Sequence, residues 1–263
     1  MTDGVPVDVL TRVLADPPVT EAVAGIEFRG RGFDVIRLVH EAARWGEDFP
    51  IGSVQPALPV TRPVGQPGAE FEMEFFTVPP PRLWNASQDQ QWLVQLQDDR
   101  LLLNWRKVDA ACTYPKYETI RTEFERVLSM LDIPIGQELV PLVAEFSYVN
   151  HITHDEASGL HEIYSVFQRP TQPLPGAVVS ERYELVTRER TELGFAQLTV
   201  TIQPAAGDNA TTLTVSTKSF AGSQLESSQI MELIDSAHEV SKRAFFAIVS
   251  DRATSNWGVQ DGS

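Results

Sequence analysis

At 263 residues the chain is long enough for one large domain or for two of about 130 residues, and either choice leaves room for a buried core. Hydrophobic residues make up 42% of the chain and charged residues 22%, which is typical of a globular protein and argues against wholesale disorder. The net charge of −15 is spread evenly, with 13 basic against 21 acidic residues in 1–140 and 8 against 15 in 141–263. Neither half has the basic excess that nucleic-acid binding needs, so we expect no nucleic-acid partner.

Two further features of the sequence bear on where the protein works. No stretch approaches the ~18 consecutive apolar residues of a membrane-spanning helix, and the opening MTDGVPVDVL is acidic where a signal peptide would be basic and then apolar. Cys112 is the only cysteine, so one chain can form neither an intramolecular disulfide nor a zinc site built from thiolates. We therefore expect a cytoplasmic protein with no membrane association, no metal and no cofactor.

The first half of the chain begins with an extended arm, residues 1–22. Val23 to Phe28 then has the composition of a short strand, and the apolar residues after Asp34 recur at helical spacing up to about Gly46. A proline- and glycine-rich loop follows, FPIGSVQPALPVTRPVGQPGA. Its length predicts a segment that lies across a surface instead of merely connecting two elements.

Three strands and a helix complete this half. In EFEMEFF, residues 70–76, and QWLVQLQ, residues 91–97, apolar side chains alternate with polar ones, which gives each strand one dry face and one wet face. A turn after QWLVQLQ reverses the chain into a third strand, LLLNWRK, residues 101–107. QWLVQLQ and LLLNWRK are therefore predicted to form a hairpin. Apolar side chains within residues 117–131 then trace one stripe of a helix that ends before Pro134.

The second half repeats this order of elements. AEFSYVNHI is predicted as a strand, GLHEIYSVF as a short helix or strand, and ERYELVTRE, FAQLTVTIQ and TTLTVSTKS as three further strands. PAAGDNA supplies the residues that a hairpin turn needs between the last two strands. Apolar residues from Ile230 to Ile248 mark a long closing helix that begins near Ser227 and Ser228.

Both halves therefore have the element order β-α-β-β-β-α, and the predicted fold class is α+β. Strands with one apolar face must cover it, and in each half the long final helix has the only stripe large enough, so we expect two curved antiparallel sheets that each grip a long helix. The two units, residues 23–136 and 137–263, would pair edge to edge in one compact globule with a saddle-like sheet of about eight strands. This arrangement is similar to the duplicated helix-grip and TATA-binding-protein-like folds, which serve unrelated functions.

Within LLLNWRKVDAACTYPKYETI, residues 101–120, two side chains are candidates for binding. Alternation places Trp105 on the dry face and Arg106 on the opposite face, where its guanidinium could hold an anionic ligand or form part of a solvated or ion-paired surface. Tyr114 precedes Pro115, which suits the first turn of a helix, and lies outside the apolar stripe of that helix. Tyr114 can therefore contact a ligand or the other half of the chain.

The densest polar cluster is SYVNHITHDEASGLHE, in which Asn150 and His151 end a predicted strand. Alternation places Asn150 on one face with Tyr148, and His151 on the other face. Either polar side chain could bind a ligand at the mouth of the sheet or cap the end of the strand. The three histidines and Asp155 of this cluster are metal-ligating residue types, but their spacing matches no standard metal motif, so we predict no metal site.

Four separated motifs carry a family resemblance: DPPVTEAVAGIEF, LLLNWRK followed by YPKYETIRTEF, SYVNHI, and AHEVSKRAFFAIVSDRATSNWG. On these motifs, which together span nearly the whole chain, the sequence resembles a sporadically distributed family of uncharacterised bacterial and archaeal proteins of about this length. The resemblance implies that the family signature includes Trp105, Arg106, Tyr114, Pro115, Tyr117, Asn150, His151 and Trp257. Sporadic distribution further implies an accessory role, such as a regulator, an antitoxin-like inhibitor or a defence component.

The sequence contains no motif that names a reaction: it has no G-x-S-x-G elbow, no Walker P-loop and no G-x-G-x-x-G after a strand. We therefore expect a non-enzymatic binding module, with either a small ligand in the hollow between sheet and helix or a protein partner on the acidic saddle. The alternative is an enzyme acting on a small anionic substrate, with Arg106 as anchor and His151 as general acid or base. Sheet edges and the proline-rich loop offer surfaces for self-association, for which a C2 homodimer is the commonest form.

Overall fold

The structure, a computed structural model, describes residues 7–28, 35–64, 81–131, 139–153, 160–166, 182–205, 209–222 and 225–260. Its strands are β1 (Val13–Leu14), β2 (Val19–Phe28), β3 (Ile51–Gln55), β4 (Arg82–Ala86), β5 (Trp92–Gln97), β6 (Arg100–Arg106), β7 (Pro141–Thr153), β8 (Tyr183–Thr191), β9 (Gly194–Pro204), β10 (Ala210–Ala221) and β11 (Val259–Gln260). Its helices are α1 (Val35–Arg44), α2 (Lys116–Ser129), α3 (Leu160–Ile163), α4 (Ile230–Ile248) and α5 (Asp251–Asn256). Short 3₁₀ turns lie at Val7–Leu10 and Ser227–Gln229.

Nine of these strands form one antiparallel sheet in the order β3-β4-β5-β6-β2-β7-β10-β9-β8. β2 and β7 pair directly in the middle of the sheet, with Ala24 opposite Phe146, so strands from both halves of the chain share one set of ladder hydrogen bonds. β1 and β11 pair separately as a two-stranded ribbon in which Val13 lies opposite Gln260.

The predicted fold class is wrong. The described chain is mostly antiparallel β, built on a nine-stranded sheet with five helices, and not an α+β pair of β-α-β-β-β-α repeats whose sheets each grip a long helix. The prediction failed because two strands before α2, β3 and β4, lie in segments without period-two alternation and were not counted. The first helices of the two halves also differ, since α1 has 10 residues and α3 has 4.

Most of the individual strand predictions are confirmed. The β5–β6 hairpin and the strands β7, β8, β9 and β10 all lie within a few residues of the predicted segments, and α4 is the long closing helix. GLHEIYSVF contributes the short helix α3, after which Tyr164 forms an isolated bridge with Val249. β3 forms inside the proline-rich loop, and EFEMEFF lies outside the described residues.

One face of the sheet carries the core. Trp105 and Ile26 are buried on this face, as the alternation of β6 and β2 requires. Helices α2 and α4 cover it with apolar stripes of fully buried side chains: Ile120, Phe124, Val127, Leu233, Ile234 and Ala237. Burying each large apolar side chain stabilises the fold by roughly 1.5–3 kcal/mol, so this layer is the main source of stability.

The opposite face of the sheet is polar and is crossed by residues 58–64, called here the strap. Side chains on six strands of the sheet make hydrogen bonds to backbone or hydroxyl groups of the strap: Gln97 on β5, Arg100 on β6, Glu27 on β2, Lys218 on β10, Gln197 on β9 and Arg188 on β8. This satisfies backbone groups of a segment that forms no ladder of its own. The expectation that part of the proline-rich loop lies across a surface is thus confirmed for residues 58–64.

Among the residues described, no helix combines the length and the apolar character that a membrane crossing would require.

Candidate functional site

A cavity of about 380 Å³ lies on the helix-covered side of the sheet, where β2 begins and β7 ends. Its floor includes Val19 of β2 and two side chains of β7, Tyr148 and Asn150. The volume falls in the lower part of the roughly 300–1,000 Å³ range of small-molecule sites. The cavity is therefore large enough for one small ligand.

The walls of the cavity come from three elements that are far apart in sequence. Helix α4 contributes His238, Lys242, Phe245 and Phe246, and the start of α2 contributes residues between 113 and 118. The roof is formed by residues 12–17, called here the covering segment.

Contacts to the end of the described chain hold the covering segment in place. Ala15 N donates to the carbonyl of Gly258 at 3.1 Å, next to the β1–β11 ribbon. Below it, Lys242 Nζ donates to the carbonyl of Leu10 at 2.6 Å. The roof thus depends on backbone pairing and on the ammonium group of the half-buried Lys242.

Two tyrosines form a hydrogen-bonded pair in the cavity wall. The Tyr114 hydroxyl donates to the Tyr148 hydroxyl at 3.0 Å, and the Tyr114 ring meets Trp105 edge-on at 5.6 Å between ring centroids. Burial raises the pKa of both tyrosines, so both hydroxyls are neutral. The Tyr148 hydroxyl hydrogen has no acceptor within the described residues and can donate to a ligand.

Asn150 is a buried amide whose oxygen is unpaired. The side chain has no solvent exposure, and Nδ2 donates to the carbonyl of Leu213 at 3.1 Å, which fixes the orientation of the amide. Oδ1 accepts no hydrogen bond from the part of the chain that the structure describes. A buried acceptor without a donor costs about 1–3 kcal/mol, so a ligand with a donor at this position would recover that free energy.

His238 is held by rings on α2 and β7. Its imidazole stacks on Tyr117 with ring centroids 3.5 Å apart and planes 4° apart. The Tyr117 hydroxyl donates to Asp235, which also accepts from Arg121 Nε at 2.8 Å. Burial lowers the pKa of His238 to about 3, and the charge of Lys242 lowers it further than Asp235 raises it. The imidazole is therefore neutral near pH 7.

Charged groups around the cavity are mostly basic. Arg12, Lys116 and Lys242 contribute to the lining against one carboxylate, Glu118. Burial lowers the pKa of Lys242. Lys116, the first residue of α2, has a φ of 67°, which is uncommon for a residue with a side chain and is often found where function requires it.

The four residues proposed as binding candidates fall into two groups. Tyr114 and Asn150 line the cavity together. Arg106 and His151 are not among the lining residues: the Arg106 guanidinium donates to the carbonyl of Gln90 at 2.8 Å, and His151 is exposed. Glu21 lies opposite Arg106 on one side and opposite Val149 on the other, and His151 is two residues beyond Val149 along β7, which puts Arg106 and His151 about 12 Å apart.

Sequence reasoning missed His238 and Lys242. Both belong to a run on α4 spaced by three or four residues, Ile234, His238, Lys242 and Phe245, which shares one face of the helix. The interruption of an apolar stripe by a histidine and a lysine was the available signal, because such residues are rarely buried without a reason.

The described residues contain no group of three or more histidine, cysteine, aspartate or glutamate side chains placed to hold a metal ion. His154 and Asp155, which were considered as metal ligands, lie outside the described residues.

The sequence was compared with protein-family models and with curated proteins. No family model matches this chain, and no curated protein matches it.

Proposed function

We propose that this protein is a non-enzymatic binding module that holds a small molecule in the cavity between β7, α2 and α4. The observation that carries the proposal is the unpaired Oδ1 of Asn150, a fully buried acceptor in the wall of a cavity of about 380 Å³. Buried polar groups are normally hydrogen-bonded, and an exception in a cavity marks a place where a ligand completes the site.

The proposal is supported by the chemistry of the other lining groups. Tyr148 offers a hydroxyl donor, and the rings of Phe245 and Phe246 offer apolar surface. The tyrosines and His238 are held neutral at pH 7, so they favour hydrogen bonding over proton transfer. We assign the protein an accessory, regulatory role in keeping with the family resemblance of its motifs.

Two other hypotheses stay predictions. An enzyme with Arg106 as anchor and His151 as acid or base would work on the polar face of the sheet, away from the cavity. A protein partner would bind the acidic surface. No feature of the described residues favours either of them over ligand binding in the cavity.

Ligand binding can be tested with wild type and a variant in which the cavity is filled. Val19 is 6% exposed and lines the cavity, so we expect Val19→Phe to place its ring in the space a ligand would use. A library of small aromatic and aliphatic compounds is screened by ligand-observed NMR, and the purified protein is examined by native mass spectrometry for retained molecules. Compounds that bind wild type should bind Val19→Phe at least tenfold more weakly.

Val186→Phe is the matched control, because Val186 lies on the edge strand β8 and is 37% exposed. It should bind as wild type does. Thr113→Trp, at an exposed lining position, replaces Val19→Phe if that variant does not fold. A library without binders, or binders unaffected by filling the cavity, would show that the cavity is not a ligand site.

A further inference from the structure

The charge around the cavity is opposite to the charge of the whole protein. The chain carries a net charge of −15, yet three basic residues and one acidic residue contribute to the cavity lining. Arginine and lysine occupy 21 of the 263 positions in the whole chain and three positions of the cavity lining. A local positive potential in an acidic protein selects an anionic ligand and repels cationic ones.

Lys242 is a half-buried basic group of the lining. It is on α4, one turn from His238, and its ammonium contacts the carbonyl of Leu10 beneath the roof. An ammonium carries three donors, of which this contact uses one. The remaining donors can bind a carboxylate inside the cavity, where low dielectric strengthens a charge-assisted hydrogen bond.

The other lining residues favour a ligand that has a planar ring and a hydrogen-bond donor. The rings of Tyr117, Tyr148, Phe245 and Phe246 provide aromatic surfaces around the space, and aromatic rings pack well against one another in edge-on or offset arrangements. The unpaired Asn150 Oδ1 favours a ligand with a hydroxyl or N–H donor, because Nδ2 already donates to the carbonyl of Leu213.

From these contacts we infer that the ligand is a small aromatic carboxylate that also carries a hydroxyl or amino substituent, with Lys242 and Lys116 binding the carboxylate. The inference rests on the proposed function and adds the ligand class. Glu118 is the one acidic residue of the lining, and its charge repels a carboxylate ligand. Removing that charge should therefore strengthen binding where removing a lysine weakens it.

The experiment compares three probes of the same shape and different charge: 4-hydroxybenzoate, 4-hydroxybenzamide and 4-hydroxybenzylamine. We expect the carboxylate to bind about tenfold more tightly than the neutral amide and the amine to bind most weakly, as judged by Kd from NMR titration. Raising the salt concentration should weaken binding of the carboxylate and leave the Kd of the amide unchanged. Phenyl phosphate, titrated alongside, shows whether a phosphate can replace the carboxylate, and we expect weaker binding of this bulkier group.

Substitutions locate the charge selectivity. Lys242→Met and Lys116→Met should each weaken binding of 4-hydroxybenzoate by about three- to tenfold and leave the Kd of the amide unchanged. Glu118→Gln should strengthen binding of 4-hydroxybenzoate about two- to fivefold. Lys116→Met serves if Lys242→Met releases the covering segment. The matched controls are Lys107→Met and Glu125→Gln, which change exposed residues outside the lining.

Failure of this inference differs from failure of the proposed function. Equal affinity for amide and carboxylate, tighter phosphate binding, or no effect of any charge substitution would overturn the ligand class. If a library compound still binds wild type and not Val19→Phe, the binding function stands. If no compound does, both fall together.

Discussion

At the scale of single residues, His238 shows how the cavity controls protonation. Its ring stacks on Tyr117 and meets Phe146 and Tyr148 edge-on at 5.1 and 6.1 Å between centroids. Burial lowers its pKa to about 3. In the unfolded chain the same imidazole has a pKa near 6.5, so the two states bind different numbers of protons in acid.

The pH dependence of stability follows from that difference. Because the folded pKa is the lower one, the contribution of His238 is complete above pH 6.5 and is lost as the pH falls toward 3. The His238→Phe variant keeps a ring against Tyr117 but has no imidazole to protonate. Between pH 7 and pH 5 its free energy of unfolding should therefore fall by about 1–2 kcal/mol less than that of wild type. Urea denaturation at the two pH values measures the difference. The charged groups that act on the imidazole are Lys242, on the same helix, and Asp235, which also accepts hydrogen bonds from α2.

His151→Phe is the control for this measurement, because His151 is an exposed histidine on β7. It should show the same loss of stability between pH 7 and pH 5 as wild type. If His238→Phe also behaved as wild type, His238 would be protonated in the folded protein at pH 5, contrary to its burial among the rings.

At the scale of elements, the strap covers buried charges on the polar face of the sheet. Glu27 is 6% exposed and Arg100 is 4% exposed, and Arg100 Nη1 lies 3.2 Å from Glu27 Oε1. Thr61 of the strap donates to Glu27 through its backbone N–H and its hydroxyl. Burial raises the pKa of Glu27 despite these partners, so the carboxylate depends on them to stay charged.

Removing one partner from this cluster should therefore be costly. We expect Arg100→Met to lower the free energy of unfolding by about 3–5 kcal/mol, because it leaves the buried Glu27 carboxylate without its closest cation. Arg182→Met is the matched control: Arg182 pairs with Glu184 at 3.3 Å, but its side chain is 63% exposed, so its loss should cost less than about 1 kcal/mol. Chemical denaturation measures both. Similar losses in the two variants would mean that Lys218 compensates Glu27 fully.

Period-two alternation predicted the strands that bury one apolar face, such as β5, β6 and β7, because that pattern is a direct record of burial. β3 could not be found in this way, since its side chains are largely exposed and its sequence, IGSVQ, has no dry face. The fold class failed for the same reason: β3 and β4 add two strands to the first half, and neither has the alternation by which a strand is predicted.

The candidate site was half predictable. Tyr114 and Asn150 were found because both are polar groups that local structure does not explain, and the cavity brings them together. Arg106 is also a polar group that local structure does not explain, but it lies outside the cavity lining. His238 and Lys242 come from the far half of the chain, and which residues of a long helix face a cavity depends on how α4 packs on the sheet.

At the scale of the whole molecule, the cavity is closed by segments that are far apart in sequence. The covering segment is joined to residues 257–260 by the β1–β11 ribbon and by two backbone hydrogen bonds of 3.1 Å, from Ala15 and Asp16. None of these contacts belongs to the nine-stranded sheet. The roof can therefore be loosened without unfolding the sheet.

Gly258 is the position where this can be done. It has a φ of 65°, and a Cβ placed on it would lie 3.0 Å from the Cβ of Ala15, so Gly258→Val is both strained and crowded. We expect this variant to be cleaved by trypsin after Arg12 about fivefold faster than wild type, and to bind 4-hydroxybenzoate more weakly, because strain of roughly 1–2 kcal/mol opposes the closed roof. Mass spectrometry identifies the fragment. Gly52→Val is the control, because Gly52 lies on the exposed strand β3 and the nearest heavy atom to its added Cβ is 3.8 Å away, on Asn85 of β4. It should leave both quantities unchanged. Unchanged cleavage after Arg12 in Gly258→Val would mean that the ribbon does not hold the roof and that the Lys242 contact to Leu10 does so alone.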